Sequence, residues 1–209
     1  MQVLLTGSSG WLGSYLYPLL QKNGHDPTGL DIIPGPNTDI VGNVADRKLI
    51  FEMCQSRPWD AVVHAAALHK PDIVRYPKSA FIETNLNGTL NLLEASAAND
   101  VSRFIYTSTT SLMINQHIRE ERGEKAIWLD EQSGPLEPRN IYGSTKLGAE
   151  GLCRIFSLER GLTTTVLRTS RFFPEEDDTL VYYKGPNLKA NELLHRRATA
   201  EDMARAHLA

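Results

Sequence analysis

Three glycines, at positions 7, 10 and 13, stand between an apolar strand and an amphipathic helix and restrict this chain more than any other feature. Val3, Leu4 and Leu5 run without a polar break, as in a strand buried on both faces. Beyond the turn, Trp11, Leu12, Tyr15, Leu16, Leu19 and Leu20 recur at helical spacing, and Asn23-Gly24 stops that helix. Pro18 inside it predicts a kink or an early end. A turn lacking Cβ atoms lets backbone N–H groups approach a pyrophosphate, and the helix N-terminus adds partial positive charge. Gly13 lets the helix pack closely on the strand. The candidate phosphate-binding residues are therefore Gly7, Ser9, Gly10, Trp11, Leu12 and Gly13, with a plain tight turn as the alternative. Asp31, 18 residues after Gly13, ends the second strand. A carboxylate there accepts hydrogen bonds from ribose hydroxyls and repels a 2′-phosphate, which favours NAD over NADP. Ile32 and Ile33 follow, with no Arg to welcome a phosphate; a turn-capping Asp is the alternative.

The rest of the chain repeats the strand–helix alternation. Asp39 to Val41 predicts a short third strand, and Asp46 caps a helix to Gln55. Trp59 to Val63 reads as the fourth strand, Lys78 to Ala98 as a long helix, and Arg103 to Thr107 as the fifth strand. Residues 110–139 form a long irregular stretch, which at that length is usually functional or mobile. A helix from Asn140 to Glu159, ended by Gly161, precedes a sixth strand from Thr163 to Leu167. Such alternation predicts a doubly wound parallel α/β sheet with helices on both faces. Glu175 to Asp178 is an acidic run, read as a solvated loop rather than a metal site.

Composition narrows the partners. The net charge of −3 offers no basic face for nucleic acid. No apolar run is long enough to span a membrane, and Met1 leads directly into a strand pattern without a signal peptide. Cys54 and Cys153 lie far apart in helical stretches and are expected as core thiols in a reducing cytosol, not as a disulfide or metal site. A cytoplasmic location is expected.

Tyr142 and Lys146 stand four residues apart at the start of a helix, hence on one face. A phenol is a poor base at neutral pH, but a nearby ammonium and the positive ring of an oxidised nicotinamide both favour its phenolate. The fifth strand ends in Tyr106-Thr107-Ser108-Thr109, and ligands bind at strand C-termini in such sheets. Thr109 is thus placed to hydrogen-bond a substrate oxygen, with Ser108 as the competing candidate.

The order Thr6-Gly7-x-x-Gly10-x-x-Gly13, acidic strand end, His64-Ala65-Ala66-Ala67, Asn85-Leu-Asn-Gly88-Thr89, Thr107-Ser108-Thr109 and Tyr142-x-x-x-Lys146 resembles the extended short-chain dehydrogenases, the NAD-dependent epimerase/dehydratase family. The resemblance covers residues 1 to about 174 and implies a Rossmann-type NAD-binding domain there. Residues 175–209 would supply part of a substrate-binding segment and a late helix, making the chain truncated or an unusually short member with a small substrate lobe. By the same resemblance Asn43 and Val44 lie by the adenine, and Ala65, Ala66 and Ala67 line the cofactor. Thr109, Tyr142 and Lys146 form the catalytic set, with Asn85 in the active-site region and His69 toward the substrate. The helices at 78–98 and 140–159 form a homodimer interface. His64 has a plainer reading as a packed, hydrogen-bonded residue, and Asn85 as one that satisfies backbone groups.

Departures from the family pattern bear on the reaction. Asn43 stands where the family usually has Asp. Thr110-Ser111 follow the catalytic Thr where sugar 4,6-dehydratases carry Asp-Glu, which argues against elimination of water. Leu112-Met113-Ile114 replaces a frequent Val-Tyr-Gly. Arg171 replaces a substrate-binding Asn; it suits an acidic or phosphorylated substrate, or pairs with Glu175 or Glu176. The expectation is an epimerase or oxidoreductase acting on a hydroxyl of a sugar nucleotide or sugar derivative. Dehydrogenation of a sugar acid or small alcohol is the alternative within catalysis, and a non-catalytic NAD sensor the alternative outside it.

Overall fold

A computed structural model of the chain describes residues 1–120, 127–173 and 197–209. The core is a six-stranded sheet of β1 (Gln2–Thr6), β2 (Asp26–Asp31), β3 (Ile40–Val41), β4 (Ala61–His64), β5 (Arg103–Thr109) and β6 (Thr163–Thr169), in the order β3-β2-β1-β4-β5-β6. Every pairing is parallel, as the strand–helix alternation predicts. The strand order reverses direction between β1 and β4, where Thr6 pairs with His64. Ligands bind at such a switch point.

The apolar run of β1 divides between two cores, as a strand covered on both faces must. Leu4 packs with Leu30, Val62 and Phe104 under α2 (Arg47–Ser56), α4 (Gly88–Ala98) and α6 (Ile141–Arg160). Val3 and Leu5 face the other way, onto Leu12, Leu16 and Leu20 of α1 (Trp11–Lys22). Cys54 and Cys153 are buried free thiols in the first of these cores. Pro18 does not end α1 early, for the helix continues to Lys22. Pro18 and Ser14, whose carbonyl loses its helical partner, are both exposed, so water can take that bond.

The long helix expected over 78–98 is helical throughout but not uniform. It consists of α3 (Lys78–Phe81), a π-helical stretch (Ile82–Asn87) and α4. The irregular stretch after β5 includes a short 3-10 turn (Thr110–Leu112) and α5 (Gln116–Arg119). Beyond β6, β7 (Arg171–Phe173) pairs in parallel with β8 (Arg197–Thr199), which leads into α7 (Ala200–Leu208). Thr199 caps α7 by accepting the Asp202 N–H at 3.0 Å. Ala204 joins the α1 side of the core, and His207 bonds Thr107 of β5 at 2.9 Å. The acidic run from Glu175 to Asp178 lies outside the described residues. Among the described residues no helix is long and apolar enough to cross a membrane.

The helix carrying Tyr142 is closed at both ends. Asn140 Oδ1 accepts the Gly143 N–H at 3.0 Å, and Gly161 ends the helix at φ 68°. Asn140→Ala should lower stability by about 1 kcal/mol while Asn140→Ser leaves it nearly unchanged. Thermal denaturation of the two variants checks this, and equal melting temperatures would remove the cap from the account.

Candidate active site

The switch point brings the sequence candidates to one edge of the sheet. Gly7 sits at φ 77°, and a Cβ there would stand 2.7 Å from the backbone nitrogen of Ala66. A Cβ on Gly13 would lie 2.2 Å from the Gly7 carbonyl oxygen. The turn therefore needs glycine at both places to fit against the end of β4 and the start of α1. The N–H of Ser9 donates to Asp31 Oδ2 at 3.0 Å, and that of Ile33 to Oδ1 at 3.0 Å. Asp31 thus braces the turn, and its remaining lone pairs stay available to hydroxyl donors. Thr38, which the sequence reading missed, anchors the hydroxyls of Ser8 at 2.8 Å and Ser9 at 2.7 Å. Leu12 is buried, Trp11 and Asn43 are exposed, and Gly10 sits at the N-cap of α1. Asn43 accepts the Ala45 N–H at 2.9 Å. Val44 is buried beneath Gly88, where a Cβ would come within 2.6 Å of its side chain. Ala65, Ala66 and Ala67 are half-buried at the end of β4. The small, Cβ-free cradle is of a kind that suits a dinucleotide.

Beside it lies the chemical group. Lys146 is 2% exposed, donates from Nζ to the Thr107 carbonyl at 2.8 Å, and holds its ammonium 4.7 Å from the centre of the Tyr106 ring. Burial lowers its pKa to about 7 against the opposing charges of Cys153 and Glu150. Burial pushes the Tyr142 phenol up to about 12, partly offset by a hydrogen bond from Thr109. Desolvation sets the shift, and the ammonium one turn away, expected to favour the phenolate, does not enter it. The His69 ring lies 5.7 Å from the Tyr142 ring.

Strand alternation separates Thr109 from Ser108. Ser108 is buried and donates to Glu150 Oε1 at 2.6 Å, whereas Thr109 donates to Ser111 Oγ at 3.1 Å and acts to lower the Tyr142 pKa. Arg168 grips Glu150 with two nitrogens, Nε to Oε1 at 3.0 Å and Nη2 to Oε2 at 2.7 Å. Sequence reasoning passed over Glu150, although it continues the spacing Tyr142, Lys146 by four residues on the same helix face. Arg171 lies in β7, and its side chain is outside the described residues.

Asn85 sits within the π-helical stretch and is 1% exposed. Its carboxamide accepts the Leu68 N–H at 2.8 Å and donates to the Leu68 carbonyl and to Thr145 Oγ1, each at 3.0 Å. Thr145 in turn donates to the Tyr142 carbonyl at 3.0 Å. A π turn in mid-helix is commonly found at functional sites.

Residues 3–184 match the family model described as the NAD dependent epimerase/dehydratase family. The chain belongs to that family. Among curated relatives of this family member, a low-salt glycan biosynthesis protein, Agl12, of Haloferax volcanii is 31% identical over 83% of this chain and 57% of its own length. A UDP-glucose 4-epimerase of Corynebacterium glutamicum is 27% identical over 80% of this chain and 50% of its own. The chain spans about half the length of these relatives. In fold it is similar to a UDP-glucose 4-epimerase of Thermotoga maritima, with a TM-score of 0.81 at 23% identity, over 100% of this chain and 72% of that one. A short-chain dehydrogenase/reductase superfamily protein from Agrobacterium tumefaciens, with bound NAD, gives a TM-score of 0.69 at 27% identity, over 83% and 50% of the two chains.

The buried lysine has a consequence for stability. Between about pH 7 and its ordinary 10.5, Lys146 is neutral in the folded protein but charged when unfolded. The unfolded state then binds more protons, so this residue adds stability as pH rises through that window. Denaturant melts of the dinucleotide-free protein at pH 7 and pH 9 should show that gain, and Lys146→Met should remove it. An identical slope in the variant would mean that Lys146 keeps its ordinary pKa.

Proposed function

We propose that this chain binds NAD across the switch point and catalyses reversible hydride transfer at a hydroxyl-bearing carbon of a sugar nucleotide or related sugar derivative, with epimerisation as the net reaction. The observation that carries the reading is the assembly of Thr109, Tyr142 and Lys146 at the end of β5, beside the glycine turn. The Cβ-free turn at Gly7 and Gly13 fits the cofactor's pyrophosphate, and Asp31 its adenosine ribose. When bound, NAD supplies the acceptor and donor of the hydride.

Tyr142, once ionised, would take the substrate's hydroxyl proton at its phenolate oxygen as the C–H electron pair departs as hydride, and return the proton when the hydride comes back. Thr109 hydrogen-bonds the same substrate oxygen. Lys146 would hold the nicotinamide ribose and, when protonated, carry positive charge on the helix face it shares with Tyr142. Burial keeps that phenol protonated in the free protein, and a positive ring brought next to it acts in the opposite sense. Asn85 positions Tyr142 through Thr145. His69, whose ring is tilted against that of Tyr142, would meet the substrate. No carboxylate follows Thr109, where Thr110 bonds the Thr169 carbonyl at 3.2 Å, so elimination of water is not part of the reading. Exposed Ile82, Ile155 and Leu158 support the helices at 78–98 and 140–159 as a homodimer face. Two buried free thiols suit a cytoplasmic setting.

Tyr142→Phe should bind NAD within about threefold of the original protein yet lose turnover by about 10²–10⁴-fold. Calorimetry with NAD, together with a panel of sugar nucleotides followed by product chromatography and NADH absorbance, measures both. Turnover that survives the substitution overturns the reading. Net accumulation of NADH would replace epimerisation by oxidation.

A further inference from the structure

The tautomer of a buried histidine can be read from its neighbours when each has only one proton to give. His64, at the end of β4, is 1% exposed and lies between two threonines. Its Nε2 is 2.9 Å from Thr89 Oγ1, whose own proton goes to the Asn85 carbonyl at 2.7 Å. Thr89 must therefore accept, and Nε2 carries the hydrogen. Nδ1 is then an acceptor, 2.7 Å from Thr6 Oγ1, so Thr6 donates to it. Thr6 in turn accepts the Ala66 N–H at 3.2 Å. Every hydrogen points the same way, from Ala66 through Thr6, His64 and Thr89 to Asn85.

The two ends of this chain are informative. Ala66 is the backbone on which Gly7 of the dinucleotide turn rests, with no room between them for a Cβ. Asn85 is joined through its carboxamide to Thr145 and thence to the carbonyl of Tyr142. We propose that His64 is a positioning residue, whose directed hydrogen-bond chain couples occupancy of the glycine turn to the seating of Tyr142. The proposal rests on Tyr142 being the proton-transfer group. It assigns His64 no contact with substrate or cofactor. A protonated imidazole would present a donor to Thr6 where an acceptor is needed and would break the chain. Burial, with the charge of Lys146 adding to it, keeps the ring neutral by lowering its pKa to about 3.

Thr89→Val cuts the chain with almost no change of shape, and Thr89→Ser keeps the hydroxyl. Hydrogen exchange at the amides of Gly143, Ser144 and Thr145 is measured with and without NAD in the original protein and both variants, beside NAD affinity and kcat. In the original protein and in Thr89→Ser, NAD should slow exchange at those amides several-fold. In Thr89→Val the slowing should be lost and kcat should fall about tenfold, with NAD affinity within threefold. A ¹⁵N-histidine spectrum should show the Nε2–H tautomer at neutral pH in the original protein and a mixture of tautomers in Thr89→Val. His64→Leu should lower kcat similarly, and the double variant should be no worse than either single one. Full NAD-dependent slowing in Thr89→Val, unchanged kcat, or effects that multiply in the double variant would each overturn the proposal. If those results come with an inactive Tyr142→Phe, the coupling fails while the proton-transfer role stands. An active Tyr142→Phe removes that role instead.

Discussion

A lysine side chain with almost no contact with water needs compensation from the protein around it, and much of this site is built on providing it for Lys146. The ammonium has one carbonyl of β5, the face of Tyr106 and, further along its own helix, the carboxylate of Glu150. Glu150 is itself held by the fork of Arg168 and the hydroxyl of Ser108. Those partners come from β5, β6 and α6, so the seating of one charge ties together the strand that ends in Thr109 and the helix that begins with Tyr142. The site's geometry follows from this arrangement more than from any property of the tyrosine alone.

The same logic explains the other half of the edge. Parallel strands deliver their C-termini to one side, and reversal of strand order opens a crevice between β1 and β4. At that switch point the turn at Gly7 lies directly against the backbone of Ala65 and Ala66. The hydroxyls of the turn are tied away, Ser8 and Ser9 to Thr38 and Ser9 to the Ile33 carbonyl. Membership of the NAD dependent epimerase/dehydratase family accords with this edge, since the family match covers both the turn and the helix of Tyr142.

Much of this was legible in the sequence, because the carrying signals are local. The turn, the Asp46 cap and the alternation of strand and helix follow from spacing and capping chemistry, and the structure has them. Other features depend on contacts between distant residues. Spacing alone does not remove Ser108 as a competitor of Thr109; strand pleating does, by turning Ser108 toward Glu150. Thr38 and Glu150 carried no motif, and only packing shows what they hold. Regular helical spacing continues across residues 82–87, so the π turn that buries Asn85 left no periodic trace. The upward shift of Tyr142 and the downward shift of Lys146 come from burial, which no four-residue spacing encodes.

The pairing of β7 with β8 ties two points of the chain that are far apart in sequence. Beyond that junction α7 is fastened to α1 and, through His207, to Thr107, the residue whose carbonyl receives Lys146. Substitutions in that late helix therefore act on the end of β5 from 100 residues further along the chain.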